Sequence, residues 1–286
     1  MRKPTTSKRW THETRSLQIM IGTASYHTPQ ADFMMFQRIV EQFRDGVAVV
    51  IGAGGIGGEI ASLLLEGGAR VVVADHRQAA LDRLRVSLRS EQLTTGTLDV
   101  RDGAAVDRFF AFVQETSGSP RFCFYTAGIL TIEPFAETTA QSWEQAVDVN
   151  LNGAFHCAHA AARLMALERR GSILLLGSIA GTKARSGSRV NPAYNATKAG
   201  LAAFVNAAAM QLRSHGVRIN CISPGPTATA MMDVQPATVH AAVRDITLDG
   251  RMNNPSEVAE LALFVAAHGR FTGEDVGLGG GAGLGG

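Results

Sequence analysis

Tyr194 and Lys198 stand four residues apart in the stretch Pro192-Ala-Tyr-Asn-Ala-Thr-Lys-Ala-Gly200, a spacing that puts a phenol and an ammonium on one face of a helix. A free tyrosine titrates near pH ~10. An ammonium at about 4 Å in a partly desolvated site contributes roughly 4 kcal/mol of Coulomb energy, or about three pKa units. A tyrosine lowered that far exchanges protons near neutrality. Taken alone, the pair also reads as an exposed amphipathic couple, so the rest of the chain must decide between the two.

A second group of residues has the chemistry of a phosphate cradle. The apolar run 47–51 leads directly into Gly52-Ala-Gly-Gly-Ile-Gly57, and a helical pattern follows over 59–66. In that strand-loop-helix context Gly52 permits the tight turn, and Gly54 or Gly55, with Ile56 beside them, lets the backbone approach a pyrophosphate. Gly57 lets the helix pack against the strand while its free N–H groups face the phosphates. Asp75 closes the second apolar run about twenty residues further on, where a carboxylate accepts hydrogen bonds from ribose hydroxyls and repels a 2′-phosphate. The expected cofactor is therefore NAD, with NADP left open by Arg77, a residue able to stack on adenine or attract a phosphate. His76, between them, reads as a solvent-facing loop residue.

The elements that must position these groups alternate. Strands are expected at 47–51, 70–74, 92–98, 122–126, 172–176, 217–222 and 275–278, with helices between them, the longest at about 141–167 and 194–214. Such alternation gives βαβ units and a parallel sheet buried on both faces. The predicted fold is a single α/β domain, a Rossmann-type doubly wound sheet of about seven strands in the order 3-2-1-4-5-6-7, in which ligands bind at the carboxyl ends of the strands. The glycine-rich end, 277–286, reads as a strand end followed by a tail, because no helix stands behind it to receive a phosphate.

Composition narrows the function classes. With 286 residues, of which 45% are hydrophobic, the chain can bury one substantial core. A formal net charge of +2 with interspersed signs carries no basic stripe for nucleic acid. Cys123, Cys157 and Cys221 lie apart in apolar segments and read as reduced core residues, with neither a disulfide framework nor a metal site. No uncharged apolar run approaches the ~18 residues of a membrane helix, so a cytoplasmic location with no membrane partner is expected. Residues 1–33 are rich in Ser, Thr and basic side chains without a sustained period. They are expected to be a disordered or non-native extension ahead of a dinucleotide-binding domain at 44–286.

From about residue 44 onward the chain resembles the short-chain dehydrogenase/reductase family. The resemblance rests on motifs in the family's order: the glycine loop, Leu98-Asp99-Val100, Ala127-Gly128, Asn150 in Val149-Asn-Leu-Asn-Gly153, Ser178 after Gly177, the Tyr194/Lys198 pair, and Pro224-Gly-Pro-Thr-Ala-Thr229. It implies that Tyr194 exchanges a proton with the substrate oxygen while hydride passes to or from the nicotinamide. It implies too that Lys198 lowers the tyrosine pKa and binds the nicotinamide ribose, that Ser178 holds the substrate oxygen, and that Asn150 supports a water linking Lys198 to solvent. By the same resemblance Asp99 and Val100 flank the adenine, Ala127 and Gly128 pass beneath the ribose, and Thr227 and Thr229 fix the carboxamide, with Pro224 and Gly225 in the same cofactor loop.

Four departures stand out. Ile51 replaces the family's usual threonine, and the glycine loop is one residue short. Tyr125-Thr-Ala-Gly128 stands where Asn-Asn-Ala-Gly is common, so a hydroxyl replaces an amide that braces neighbouring strands. Ser178 precedes Tyr194 by sixteen positions, more than is usual, and the insert 183–190 is expected to enlarge a loop beside the substrate. Near the end, Gly277-Leu-Gly-Gly280 replaces the usual Val-Asp-Gly-Gly.

The segment at about 230–248, with Met231, Met232, Val234 and Val239, is expected to form a lid over a mostly apolar substrate pocket. The resulting reading is an NAD(P)-dependent oxidoreductase interconverting a secondary alcohol and a ketone, its only partners the small-molecule substrate and further copies of itself in a dimer or tetramer. Two alternatives stay open: a 3-oxoacyl-carrier reductase using NADPH, and a nucleotide-binding regulator of the same fold without turnover.

Overall fold

Five short runs dense in Val, Ile, Leu and Phe become the inner strands because side chains at such positions can be buried on both faces of a sheet, while the edge runs 93–97 and 275–278 are at most partly buried. The computed structural model describes residues 36–182, 190–233 and 246–282. The strands are β1 (Val47–Ile51), β2 (Arg70–Asp75), β3 (Leu93–Thr97), β4 (Phe122–Tyr125), β5 (Gly171–Leu176), β6 (Val217–Pro224) and β7 (Asp275–Leu278). All neighbours pair in parallel, in the order β3-β2-β1-β4-β5-β6-β7. This is the expected doubly wound sheet, whose chain reversal beside β1 places the ligand crevice at the strand ends.

Helices cover both faces. On one side α3 (Gly103–Ser117), α5 (Gly153–Leu167) and α6 (Pro192–Leu212) bury Phe110, Val113, Met165, Leu201 and Val205 against β1, β4, β5 and β6. On the other, α1 (Gly55–Glu66), α2 (Gln78–Leu88) and α7 (Pro255–Ala267) bury Ile60, Leu64, Leu81, Val258 and Leu263. At roughly 1.5–3 kcal/mol for each large apolar side chain removed from water, these two cores hold the strand ends in register. No helix among the described residues is long and apolar enough to cross a membrane.

The long helix expected at 141–167 is in fact interrupted. Helix α4 (Ala140–Val147) passes into a π-helical turn, Asp148–Asn152, before α5 begins. Tertiary bonds hold the interruption. The Tyr125 hydroxyl donates to the carbonyl of Val149 at 2.5 Å, and Asn150 turns its amide into the backbone of Ile129. A π-turn inside a helix commonly marks a functional position.

Of the expected lid at 230–248, one helical turn (Ala230–Asp233) and the segment from 246 are described, and the intervening residues lie outside the described ones. So do residues 1–33 and most of the insert 183–190.

Candidate active site

The glycine loop is built by contacts that exclude side chains. Gly52, at φ +110°, turns the chain out of β1, and a Cβ there would lie 2.7 Å from the Thr126 hydroxyl. A Cβ at Gly57 would collide with the carbonyl oxygen of Gly52, so α1 can approach β1 only with glycine at this position. At Gly54, by contrast, a Cβ would meet no protein atom within 4 Å. Gly54 is also the N-cap of α1 and offers no side-chain cap, so the first-turn N–H groups face outward over an open backbone. A pyrophosphate fits that arrangement.

Thr126 answers the question posed by the missing amide. Its hydroxyl donates to the carbonyls of Ile51 (2.9 Å) and Gly52 (3.2 Å), so one shared donor still braces β4 against β1. Asp75, at the end of β2, has a side chain only 6% exposed. Its Oδ2 accepts from the Ala53 N–H at 2.9 Å, and its Oδ1 accepts from the Arg77 N–H at 2.9 Å. The carboxylate thus closes the glycine loop from below. The side chains of His76 and Arg77 are exposed at its rim, each 3.4 Å from Oδ1.

The neighbouring strand ends complete a cradle. Thr229 reaches over the loop, its methyl 2.9 Å from where a Gly55 Cβ would stand. Gly225 donates to Leu278 O, the Thr227 hydroxyl donates to Gly225 O at 3.0 Å, and Ala228 donates to Asn253 O, fixing the segment after Pro224. Ala127 sits beside Gly52. Asp99 lies further out, its carboxyl held below the usual value by the Arg101 guanidinium at 2.6–3.0 Å. Val100 is buried, and its carbonyl meets His156 Nδ1.

Tyr194 and Lys198 lie in the first two turns of α6, which Asn191 caps and Pro192 opens. The Lys198 ammonium is buried, 5.7 Å from the centre of the Tyr194 ring, and donates to Leu176 O at 2.6 Å. Burial lowers its pKa to about 8. Burial also raises the Tyr194 pKa, against the lowering effect of its hydrogen bond with Ser178. The direction differs from that expected of a bare ammonium–phenol pair, because desolvation of the phenol outweighs a lysine whose proton is directed to a backbone carbonyl. Ser178 stands at the end of β5, where its hydroxyl also accepts from the Ala180 N–H.

Asn150 joins this group from the π-turn. It is fully buried, accepts from Ile129 N at 2.8 Å, and donates to Ile129 O at 3.1 Å and Thr197 Oγ1 at 3.2 Å. Both N–H donors of its amide are therefore committed, to Ile129 O and to the residue next to Lys198, and Oδ1 and the backbone of the turn are left for contact with a water. A Cβ on Gly128 would lie 3.3 Å from Asn150 Oδ1 and 3.7 Å from Lys198 Nζ, so the β4 loop, the π-turn and α6 meet at one point.

Three contributors escaped the sequence reading. Thr197 links Asn150 to the Tyr194 carbonyl. Tyr125 holds the π-turn. Glu133 binds Asn191 across 58 positions of sequence.

Among the described residues no cluster of His, Cys, Asp or Glu could hold a metal ion. The three cysteines are buried, as expected of core residues.

A family model described as enoyl-(acyl carrier protein) reductase matches residues 50–282. A galactitol 2-dehydrogenase (L-tagatose-forming) from Cereibacter sphaeroides is 33% identical over 237 residues, 82% of this chain and 92% of the relative. A cis-4-hydroxycyclohexanecarboxylate dehydrogenase from Sinomonas cyclohexanicum is 33% identical over 79% of this chain and 91% of its own length. The crystal structure of a short-chain type dehydrogenase/reductase from Mycobacterium marinum superposes with a TM-score of 0.82 at 26% identity, covering 86% of this chain and 98% of that one. From the glycine loop to the last strand, then, the chain belongs to the short-chain dehydrogenase/reductase family of oxidoreductases.

Proposed function

We propose that this oxidoreductase interconverts a secondary alcohol and its ketone with NAD, using Tyr194 as the acid and base. The observation that carries the proposal is the meeting of Tyr194, Ser178, Lys198 and Asn150 beside the glycine cradle, at the strand ends. The nicotinamide, when bound, supplies or accepts the hydride. Glycines 52, 54, 55 and 57, with Ile56, would hold the pyrophosphate. Asp75 would take the adenosine ribose, Asp99 and Val100 the adenine edge, and Ala127, Gly128, Pro224, Gly225, Thr227 and Thr229 the nicotinamide half.

Within that frame Ser178 and Tyr194 share a hydrogen bond, so both can address one substrate oxygen. The phenol, kept neutral by burial, is ready to donate to a ketone oxygen. Lys198, with a pKa brought down to about 8, is poised to pass a proton near neutral pH. Asn150 fixes the turn of α6 between them through Thr197, and the backbone of the π-turn would hold the water that refills the relay.

The relatives' printed names, galactitol 2-dehydrogenase and cis-4-hydroxycyclohexanecarboxylate dehydrogenase, both point to a secondary alcohol, so we place the substrate among polyols and hydroxylated rings. The nearly buried Asp75 carboxylate favours NAD. The exposed Arg77 guanidinium supports the second reading, reduction of a carrier-bound ketone with NADPH. Exposed Phe155 and Met210, on α5 and α6, support a homo-oligomer. Turnover of a polyol and cyclic-alcohol panel with each cofactor, repeated on Tyr194→Phe, tests the proposal. It fails if the variant matches the wild type.

A further inference from the structure

We infer that Glu133 is a positioning residue, a single carboxylate that locks together the amino ends of the two helices leading to the catalytic groups. The inference rests on the function proposed above, since it assigns Glu133 a part in placing Tyr194. Glu133 is half-buried in the loop between β4 and α4, five positions beyond Gly128. Its Oε2 accepts from the Asn191 amide at 2.6 Å and from the Ser142 hydroxyl at 2.7 Å. Both bonds are charge-assisted, which makes them shorter and stronger than neutral ones.

The two donors are helix-terminal residues. Asn191 is 1% exposed and is the N-cap of α6. Its Oδ1 accepts from Ala193 N at 2.8 Å, and its carbonyl accepts from Tyr194 N at 2.9 Å. Ser142 is in the first turn of α4, where it completes a capping box with Thr139. Helix α4 runs straight into the π-turn bearing Asn150. A negative charge at the amino ends of both helices also complements their dipoles. The strand-like contact of Ile132 with Val190, and the bond from Asn191 N to Thr131 O, align the same loop with the entry to α6. The loop after β4, the helix leading to Asn150 and the helix carrying Tyr194 and Lys198 are thus tied to one side chain. Removing its carboxylate leaves the buried Asn191 amide without this acceptor and frees the cap that sets the first turn of α6.

The test exploits the polarity of the pair. Asn191→Asp keeps a good N-cap but removes the donor and sets two carboxylates against each other. It should lower kcat about tenfold to a hundredfold with little change in KM or in the dissociation constant of NADH. The exchanged pair, Glu133→Gln with Asn191→Asp, restores an amide–carboxylate bond in the opposite sense and should recover kcat to within about fivefold of the wild type. A double variant no faster than Asn191→Asp alone, or a wild-type kcat in Asn191→Asp, would overturn the inference. So would a loss confined to KM, which would make Glu133 a substrate contact instead. Hydrogen exchange in the protein without cofactor gives a reading independent of turnover. The amides of Tyr194 to Lys198 should lose protection in Glu133→Leu and keep it in Glu133→Gln; equal protection in both contradicts the role of the carboxylate even if no substrate is ever found. Tyr194→Phe, measured alongside, separates the failure modes. If it is as active as the wild type, the proposed chemistry falls, and the exchange data still judge Glu133.

Discussion

Replacing Lys198 with methionine should abolish turnover and yet stabilise the fold at neutral pH, by an amount that depends on pH in a defined way. The ammonium is 5% exposed, and burial moves its pKa from 10.5 to about 8. At about 1.36 kcal/mol per pKa unit, the charged form costs the folded state on the order of 3 kcal/mol at pH 7. Methionine removes that cost but also loses the bond to Leu176 O, worth roughly 1–3 kcal/mol once an unsatisfied buried carbonyl is counted. The net gain at pH 7 is therefore about 1 kcal/mol. Below pH 8 the lysine is protonated in both folded and unfolded chains, and its cost is fully present. Between pH 8 and 10.5 the folded protein has released the proton while the unfolded chain still binds it, so wild-type stability rises with pH. The stability difference, variant minus wild type, should fall by about 2 kcal/mol from pH 7 to pH 9.5, reversing from a gain of about 1 kcal/mol to a loss of about 1 kcal/mol. Urea unfolding of both proteins at those two pH values measures it, with other titrating groups cancelling in the difference. A gap that does not change with pH would refute the claim that burial, rather than pairing, governs this lysine.

Two other substitutions probe the cofactor cradle. Gly57→Ala forces a Cβ against the Gly52 carbonyl; NADH binding followed by fluorescence should be lost, with the melting temperature lowered, and normal binding would contradict the packing described. Asp75→Ala removes the acceptor of the Ala53 N–H. It should weaken NADH binding at least tenfold and NADPH binding much less, and an unchanged ratio of the two affinities would remove Asp75 from cofactor choice.

The sheet was legible because strands buried on both faces carry an unmistakable run of apolar residues, as in Val71–Val73 or Leu174–Leu175. Residues whose placement follows from local spacing were legible as well: the glycine loop before α1, and Tyr194 with Lys198 on one helix. The π-turn was not, because nothing within 141–167 encodes it. It depends on Tyr125 and Ile129, more than twenty positions away. Glu133 was invisible for the same reason, since an acidic residue in a loop looks solvated until its partner 58 positions on is placed beside it. The direction of the Tyr194 shift was missed because spacing reports a neighbouring charge but not the burial of the phenol, nor the carbonyl of Leu176 that takes the lysine's proton. Thr126 shows the reverse. The chain departs there from the common pattern, and the brace between β1 and β4 survives through a hydroxyl of different geometry.

The central claim is that the Tyr194 phenol carries the proton in hydride chemistry at this site. Single-turnover oxidation of a secondary alcohol with saturating NAD, compared between wild type and Tyr194→Phe, tests it most directly. The account predicts a fall in the rate of NADH formation of at least about a thousandfold, toward the upper part of the range for a positioned acid–base group, with the NAD dissociation constant changed less than threefold. A variant that forms NADH at the wild-type rate would contradict it.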